Sequence, residues 1–209
     1  EPRPPAPAGA RRPWLDHWLE VGQVLPVLRA RHPMRDAVID EVDGGMIRIG
    51  TRWLIDFASC NYLGFDLDRE IIDAVPGYLD RWGTHPSWSR LLGSPVLYQE
   101  IEEELTTLLG AEDTLILPTI TLIHGSVIPV LARDGSVFVD SRSHKTIYDG
   151  CMYATNHGAT VQRFKHDDCE NVDVLRGASN PNLPRLIVLD DVNSMTGNAP
   201  SSAVSAPAV

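Results

Sequence analysis

Lysine is almost missing from this chain: Lys145 and Lys165 are the only two among its 18 basic residues, and the rest are arginine. Any chemistry that needs an amine is therefore confined to two positions. Long apolar runs are missing as well. Nothing approaches the ~18 consecutive apolar residues of a membrane span, and the opening stretch EPRPPAPAGARR has no apolar signal core. Basic residues do not cluster beyond Arg11 and Arg12, and the formal net charge is -10. That balance argues against nucleic acid or an anionic membrane surface as partner, since both reward clustered cations. Cysteines are few, Cys60, Cys151 and Cys169, with no CxxC pair. An odd count without pairing fits structural, buried thiols in a reducing compartment, so a cytoplasmic protein is expected. The histidines at 85, 124, 157 and 166 lack metal-ligand spacing, and no metal site is expected.

What is present is one continuous body within 209 residues, 43% of them hydrophobic. Residues 1–12 and 201–209 are rich in Pro, Ala and Ser and read as linkers or cut ends. Within 13–57, Trp14, Trp18, Val21, Leu25 and Leu28 recur at helical spacing, and the helix should end before Pro33. The stretch VIDEVDGGMIRIGTRWLIDF then alternates in polarity around an Asp-Gly-Gly turn and Gly50, the pattern of a β-meander.

Across 58–200 the pattern changes. Helical segments near 69–82, 96–109, 121–132, 145–155 and 169–177 interleave with the short apolar runs TLILP, SVFVD, TVQRF and RLIVLDD. Strand and helix alternating at this spacing predict an α/β fold: three αβα layers around a mostly parallel sheet. In such sheets functional groups gather where strands end. That rule selects Pro118–Thr121, Asp140–Lys145 and Asp190–Thr196, with FASCNYLG at 57–64 as a fourth segment able to reach the same rim.

Residue chemistry alone leaves several readings open at these places. Hydroxyls and free N–H groups in TITLIHGS suit either a phosphate or an ordinary helix cap. Ser143 reads as the cap of the following helix, whereas His144 can serve as base, stacking surface or cap. Lys145 reads as a solvated helix-start residue. Asp190 and Asp191 are adjacent on a strand, so they face opposite ways and do not chelate one ion together. Glu102, Glu103 and Glu104 read as a solvated helix face.

Taken together, DFASCNYLGF, SRLLGSPVLYQEIEEELTTLLGAEDTLIL, VFVDSRSHKTIYDGC, VQRFKHDD and LIVLDDVNSMTGNAP resemble one family, the α-oxoamine synthases. Serine palmitoyltransferase and 8-amino-7-oxononanoate synthase are the members closest in look, and the resemblance runs over roughly residues 36–200. It implies the pyridoxal 5'-phosphate (PLP)-dependent transferase fold of type I, with an incomplete large domain behind the amino-terminal helix and meander. It also implies a homodimer that condenses an amino acid with an acyl thioester, acyl-CoA or acyl carrier protein, with loss of carbon dioxide. By the same resemblance His144 stacks on the cofactor ring and is the catalytic histidine. Thr119, Ile120 and Thr121 occupy the phosphate turn, Asp190 and Ser194 lie against the cofactor, and Asn61 and Tyr62 lie near the substrate.

The departures from the family pattern are specific. Ile120 stands where glycine lets the backbone approach closely. Pro86 and Trp88 fill a stretch that is glycine-rich in relatives, and Asp191 and Asn193 stand where glycine and an aromatic are common. The sequence stops at Val209, ahead of the expected Asp that pairs with the pyridine nitrogen and the lysine that holds the cofactor. The expectation is thus an amino-terminal portion of a longer synthase, inactive alone. The alternatives are a lysine-free, non-catalytic partner subunit and a PLP-independent relative that handles acyl thioesters.

Overall fold

Val137, Phe138 and Val139 are three consecutive apolar residues, and all three are fully buried. Neighbouring side chains on a strand point to opposite faces, so a strand like this needs cover on both sides. The computed structural model supplies it. Residues 13–31, 37–85 and 88–200 are described; the linker readings at 1–12 and 201–209, together with Pro86, lie outside the described residues. The chain divides into two compact units, one up to Trp88 and one from Ser89 onward.

In the second unit the buried strand is β4 (Ser136–Asp140), flanked on both sides by parallel partners, β5 (Thr160–Phe164) and β6 (Arg185–Val188). Three helices precede or separate these strands: α3 (Val96–Leu109), α4 (Ile120–Ala132) and α5 (Lys145–Ala154); α6 (Cys169–Ala178) follows β5. Val137 and Val139 pack with Ile128 and Ala132 of α4 and with Ile147, Cys151 and Ala154 of α5. Phe138 faces the other way, onto Phe164 and Val172 of α6. The helix-sheet-helix layering read from the sequence is therefore present, with its core centred on β4.

Close backbone approach fixes how these layers meet. A Cβ on Gly135 would lie 2.0 Å from the Pro184 carbonyl oxygen, and one on Gly150 would lie 2.4 Å from that of His124. Only glycine fits at either place. His124 of α4 lies against Thr146 and Gly150 of α5, and Gly125 lies against Tyr153, so the two helices are in close contact.

The run TLILP is not a strand. Its groups bond to side chains instead of a ladder: Ile116 N–H donates to Glu102 Oε1 at 2.8 Å, and the Ile116 carbonyl accepts from Arg90 at 2.9 Å. Arg90 also grips the Glu102 carboxylate through two nitrogens, at 2.8 and 3.0 Å. Glu102 is thus no solvated residue, its side chain being 16% exposed; Glu103 and Glu104 are exposed as expected.

The first unit holds α1 (Pro13–Arg31), an antiparallel meander and α2 (Arg69–Trp82). The meander runs β1 (Glu41–Asp43), β2 (Met46–Ile49) and β3 (Arg52–Ile55), and its turns use positive φ at Gly44 and Gly50. Asp40 accepts the Gly50 N–H at 2.7 Å while Arg48 donates to the Gly50 carbonyl at 2.8 Å, which ties the second turn to the strands. Asp68 caps α2 by accepting from the N–H groups of Glu70 and Ile71. Cys151 is buried as expected for a structural thiol, but Cys60 is exposed, because it sits in the irregular segment after β3.

Candidate functional site

β4 ends in Asp140, and its carboxylate is buried but fully used. One oxygen accepts the Arg142 N–H at 2.7 Å and the other lies 2.9 Å from His166 Nδ1. Ser141 extends the tie to β5: its N–H donates to the Phe164 carbonyl, and its carbonyl accepts from Arg163 at 2.6 Å. The loop leaving β4 is therefore fastened on the β5 side before it reaches residue 144.

On the β6 side it is fastened again. His144 N–H donates to Asp190 Oδ2 at 2.8 Å, and Asn193 Nδ2 donates to the Arg142 carbonyl at 2.9 Å. Asn193 is buried, and its Oδ1 accepts from the N–H groups of Met195 and Thr196 and from the Thr196 hydroxyl. That closes the turn carrying Ser194, which is exposed.

His144 itself is the cap of α5: its Nδ1 accepts the Thr146 N–H at 3.2 Å. Ser143, expected in that role, does not fill it, and among the described residues its buried hydroxyl has no hydrogen-bond partner. The imidazole is the group placed to accept the Thr146 N–H because His144, not Ser143, is the last residue before the helical turn begins. Thr146 Oγ1 lies 2.8 Å from His144 Nδ1 and 3.0 Å from His124 Nδ1. Burial pushes the His124 pKa down; nearby His144 adds to that and the Asp190 carboxylate opposes it. Asp190 and two imidazoles thus meet at one rim, where β4 and β6 end and α4 and α5 begin.

Thr119 caps α4, with its hydroxyl accepting from Leu122 N–H at 3.1 Å. Ile120 opens that helix with 60% of its surface exposed, and Thr121 is exposed beside it. Lys145 Nζ is spent on both oxygens of Asp149, at 2.8 and 2.6 Å, and its side chain is 80% exposed. Asp191 is exposed, and the described residues contain no cluster able to hold a metal.

Asn61 and Tyr62 belong to the first unit. Asp56 accepts the N–H groups of Ala58 and Ser59 and shapes the turn before them. Asn61 lines a hollow of about 630 Å³ together with Ile47, Asp56, Ser59 and Gly64, whereas Tyr62 stands 83% exposed.

No family model matches the chain. Individual proteins do. An 8-amino-7-oxononanoate synthase from Chromobacterium violaceum is 34% identical over 186 residues, covering 87% of this chain and 48% of that relative. In sequence and in fold the chain is similar to the α-oxoamine synthases. Among solved α-oxoamine synthases, serine palmitoyltransferase from S. paucimobilis, solved with PLP and myriocin bound, superposes with a TM-score of 0.82 at 25% identity. That match covers 93% of this chain and 49% of the other. Serine palmitoyltransferase from Sphingomonas wittichii superposes with a TM-score of 0.80 at 28% identity, covering 90% and 47% of the two chains. The chain spans about half the length of these family members. The fold is accordingly that of the PLP-dependent type I transferases, represented by part of the large domain.

Sequence reasoning placed Asp140 and Asn193 in segments at the rim without giving them a role, and missed His124, Thr146 and His166. His124 had a usable signal: it lies three residues past Thr121, on the same face of α4. The partner of Asn193 had none, because it is 51 residues away in sequence.

Proposed function

We propose that this chain supplies the non-covalent face of a PLP site in an enzyme that joins an amino acid to an acyl thioester with loss of carbon dioxide. One observation carries the reading: an exposed imidazole, His144, is immobilised through its main chain by Asp190 and through its ring by the first turn of α5. A flat, neutral or cationic ring fixed in this way is a surface for another planar ring.

The donor set fits part of the cofactor. The α4 amino terminus, with Thr119, Ile120 and Thr121, offers N–H groups, a hydroxyl on Thr121 and the positive end of a helix dipole to a phosphate. Ser194 offers a hydroxyl to the ring's phenolic oxygen, and Asp190 a carboxylate beside His144. By the family resemblance Asn61 and Tyr62 are assigned to binding the substrate. The fit stops short of a covalent anchor, since Lys145 is clasped by Asp149 and Lys165 is an exposed turn residue. When bound, PLP supplies an electron sink for the carbon that loses its carboxylate. The chain's own contribution is to hold the phosphate, stack the ring and orient an acceptor oxygen at the edge of His144.

The proposed assembly is a cytoplasmic homodimer, acting on an amino acid with acyl-CoA or acyl carrier protein. Among the described residues no helix is long and apolar enough to cross a membrane. The test is titration of the full-length protein with PLP, followed by visible absorbance and by release of carbon dioxide from labelled amino acids. A cofactor band with amino-acid-dependent decarboxylation is expected, and neither appearing would overturn the reading. The engaged Lys145 favours a second reading, a lysine-free subunit that needs a lysine-bearing partner. Turnover by the protein alone would exclude it.

A further inference from the structure

The hydrogen-bond directions around Thr146 can be worked out from one fixed point. The Thr146 main-chain N–H is always a donor, and it points at His144 Nδ1 from 3.2 Å. That nitrogen is therefore an acceptor, and the hydrogen of the neutral ring sits on Nε2. The Thr146 hydroxyl is 2.8 Å from the same nitrogen, which has no hydrogen to give it, so the hydroxyl donates as well and the two Thr146 donors share one lone pair in a three-centre bond. A hydroxyl has a single hydrogen. Its other neighbour, His124 Nδ1 at 3.0 Å, must then be the donor and carry its proton on Nδ1.

We propose that His124 and Thr146 form a two-residue relay that fixes the tautomer of His144, so that His144 turns an Nε2–H donor outward from the rim. The ligand group met at that edge is then an acceptor oxygen of a carboxylate or carbonyl, and an ammonium group is rejected there because two donors would face each other. His124 and Thr146 are positioning residues in this arrangement, since neither is assigned contact with the ligand. Packing supports it: the absence of a Cβ on Gly150 lets α5 close onto the His124 carbonyl and brings Thr146 within reach. The charged or titratable groups acting on His124 are Asp190 and His144, and burial of the ring lowers its pKa, which favours the neutral form.

The nature of the ligand rests on the function proposed above, but the proton assignment does not. Ring ¹⁵N-histidine labelling of the full-length protein and two-bond ¹H–¹⁵N correlation at neutral pH read both tautomers directly. His144 is expected in the Nε2–H form and His124 in the Nδ1–H form. Thr146→Val keeps the shape and removes the hydroxyl; it should release His124 from the Nδ1–H form and lower kcat/KM of the condensation about fivefold, the worth of one ordinary hydrogen bond. Thr146→Ser should restore both. His124 found as Nε2–H in the unmodified protein, or tautomers unchanged by Thr146→Val, overturns the relay even if PLP binds. Failure of PLP to bind while the tautomers are as expected sinks the cofactor reading and leaves the relay standing.

Discussion

Gly150→Ala is a sharp test of how α4 and α5 are joined. The new Cβ would lie 2.4 Å from the His124 carbonyl oxygen and 2.7 Å from its carbon. Comfortable non-bonded separations are roughly 3.5 Å, so α4 must retreat by about 1 Å, and because the obstacle is backbone no side-chain rotation relieves it. Overpacking of this kind costs about 1–3 kcal/mol, while alanine's better helix propensity returns about 1 kcal/mol. A main-chain clash belongs at the top of the first range, which leaves a net loss of about 2 kcal/mol. Two comparisons isolate the cause. Nothing lies within 4 Å of a Cβ at Gly177, so Gly177→Ala should be neutral or stabilising by up to ~1 kcal/mol. A Cβ at Gly125 meets only the Tyr153 ring, at 3.3 Å, and Gly125→Ala should fall between the two. Urea unfolding with linear extrapolation, at equal m-values, measures all three. If Gly150→Ala were as stable as Gly177→Ala, the close approach would not be real and the placement of His124 against Thr146 would fall with it.

Two further outcomes are expected. The Arg90 guanidinium, then the Ile116 N–H, holds the Glu102 carboxyl below the ordinary glutamate range. A depressed pKa adds stability above the unfolded value of about 4.3 and loses it as pH falls through the folded one. Unfolding midpoints of the parent should therefore drop more steeply on acidification than those of Glu102→Gln, and parallel slopes would refute the clamp. Burial pushes the Cys151 thiol up to about 11, while Cys60 is exposed. Alkylation of the native protein at pH about 8 should mark Cys60 and spare Cys151 until denaturant is added; equal labelling in a mass spectrum would show the core to be open.

Much of the second unit could be read from local pattern. The runs SVFVD and TVQRF are β4 and β5 residue for residue, and the helix read at 96–109 is α3. These succeed because burial on both faces or on one stripe writes itself into contiguous sequence. TLILP has the same composition and is no strand, since its hydrogen bonds go to Arg90 and Glu102, which no periodicity reveals. Glu102 was misread for the same reason from the other side: its helix face looks solvated until a segment 14 residues away is laid against it. At the rim, spacing left His144 open as base, stacking surface or cap, and the cap is what the structure shows. His124 was not legible, because 22 residues separate it from Thr146 and only the Gly150 contact brings them together.

The loop from Asp140 to His144 is tied down by β5, by Asp190 and by Asn193, all through the protein's own groups. A binding surface built this way has met its ordering entropy during folding. A visiting molecule gives up its own freedom and little of the protein's, so affinity at this rim should depend on the shape and charge of the visitor more than on any closing motion. It also makes the rim intolerant: a visitor that needs His144 elsewhere must break a main-chain bond to a carboxylate, which discriminates against near-miss ligands without an additional specificity pocket.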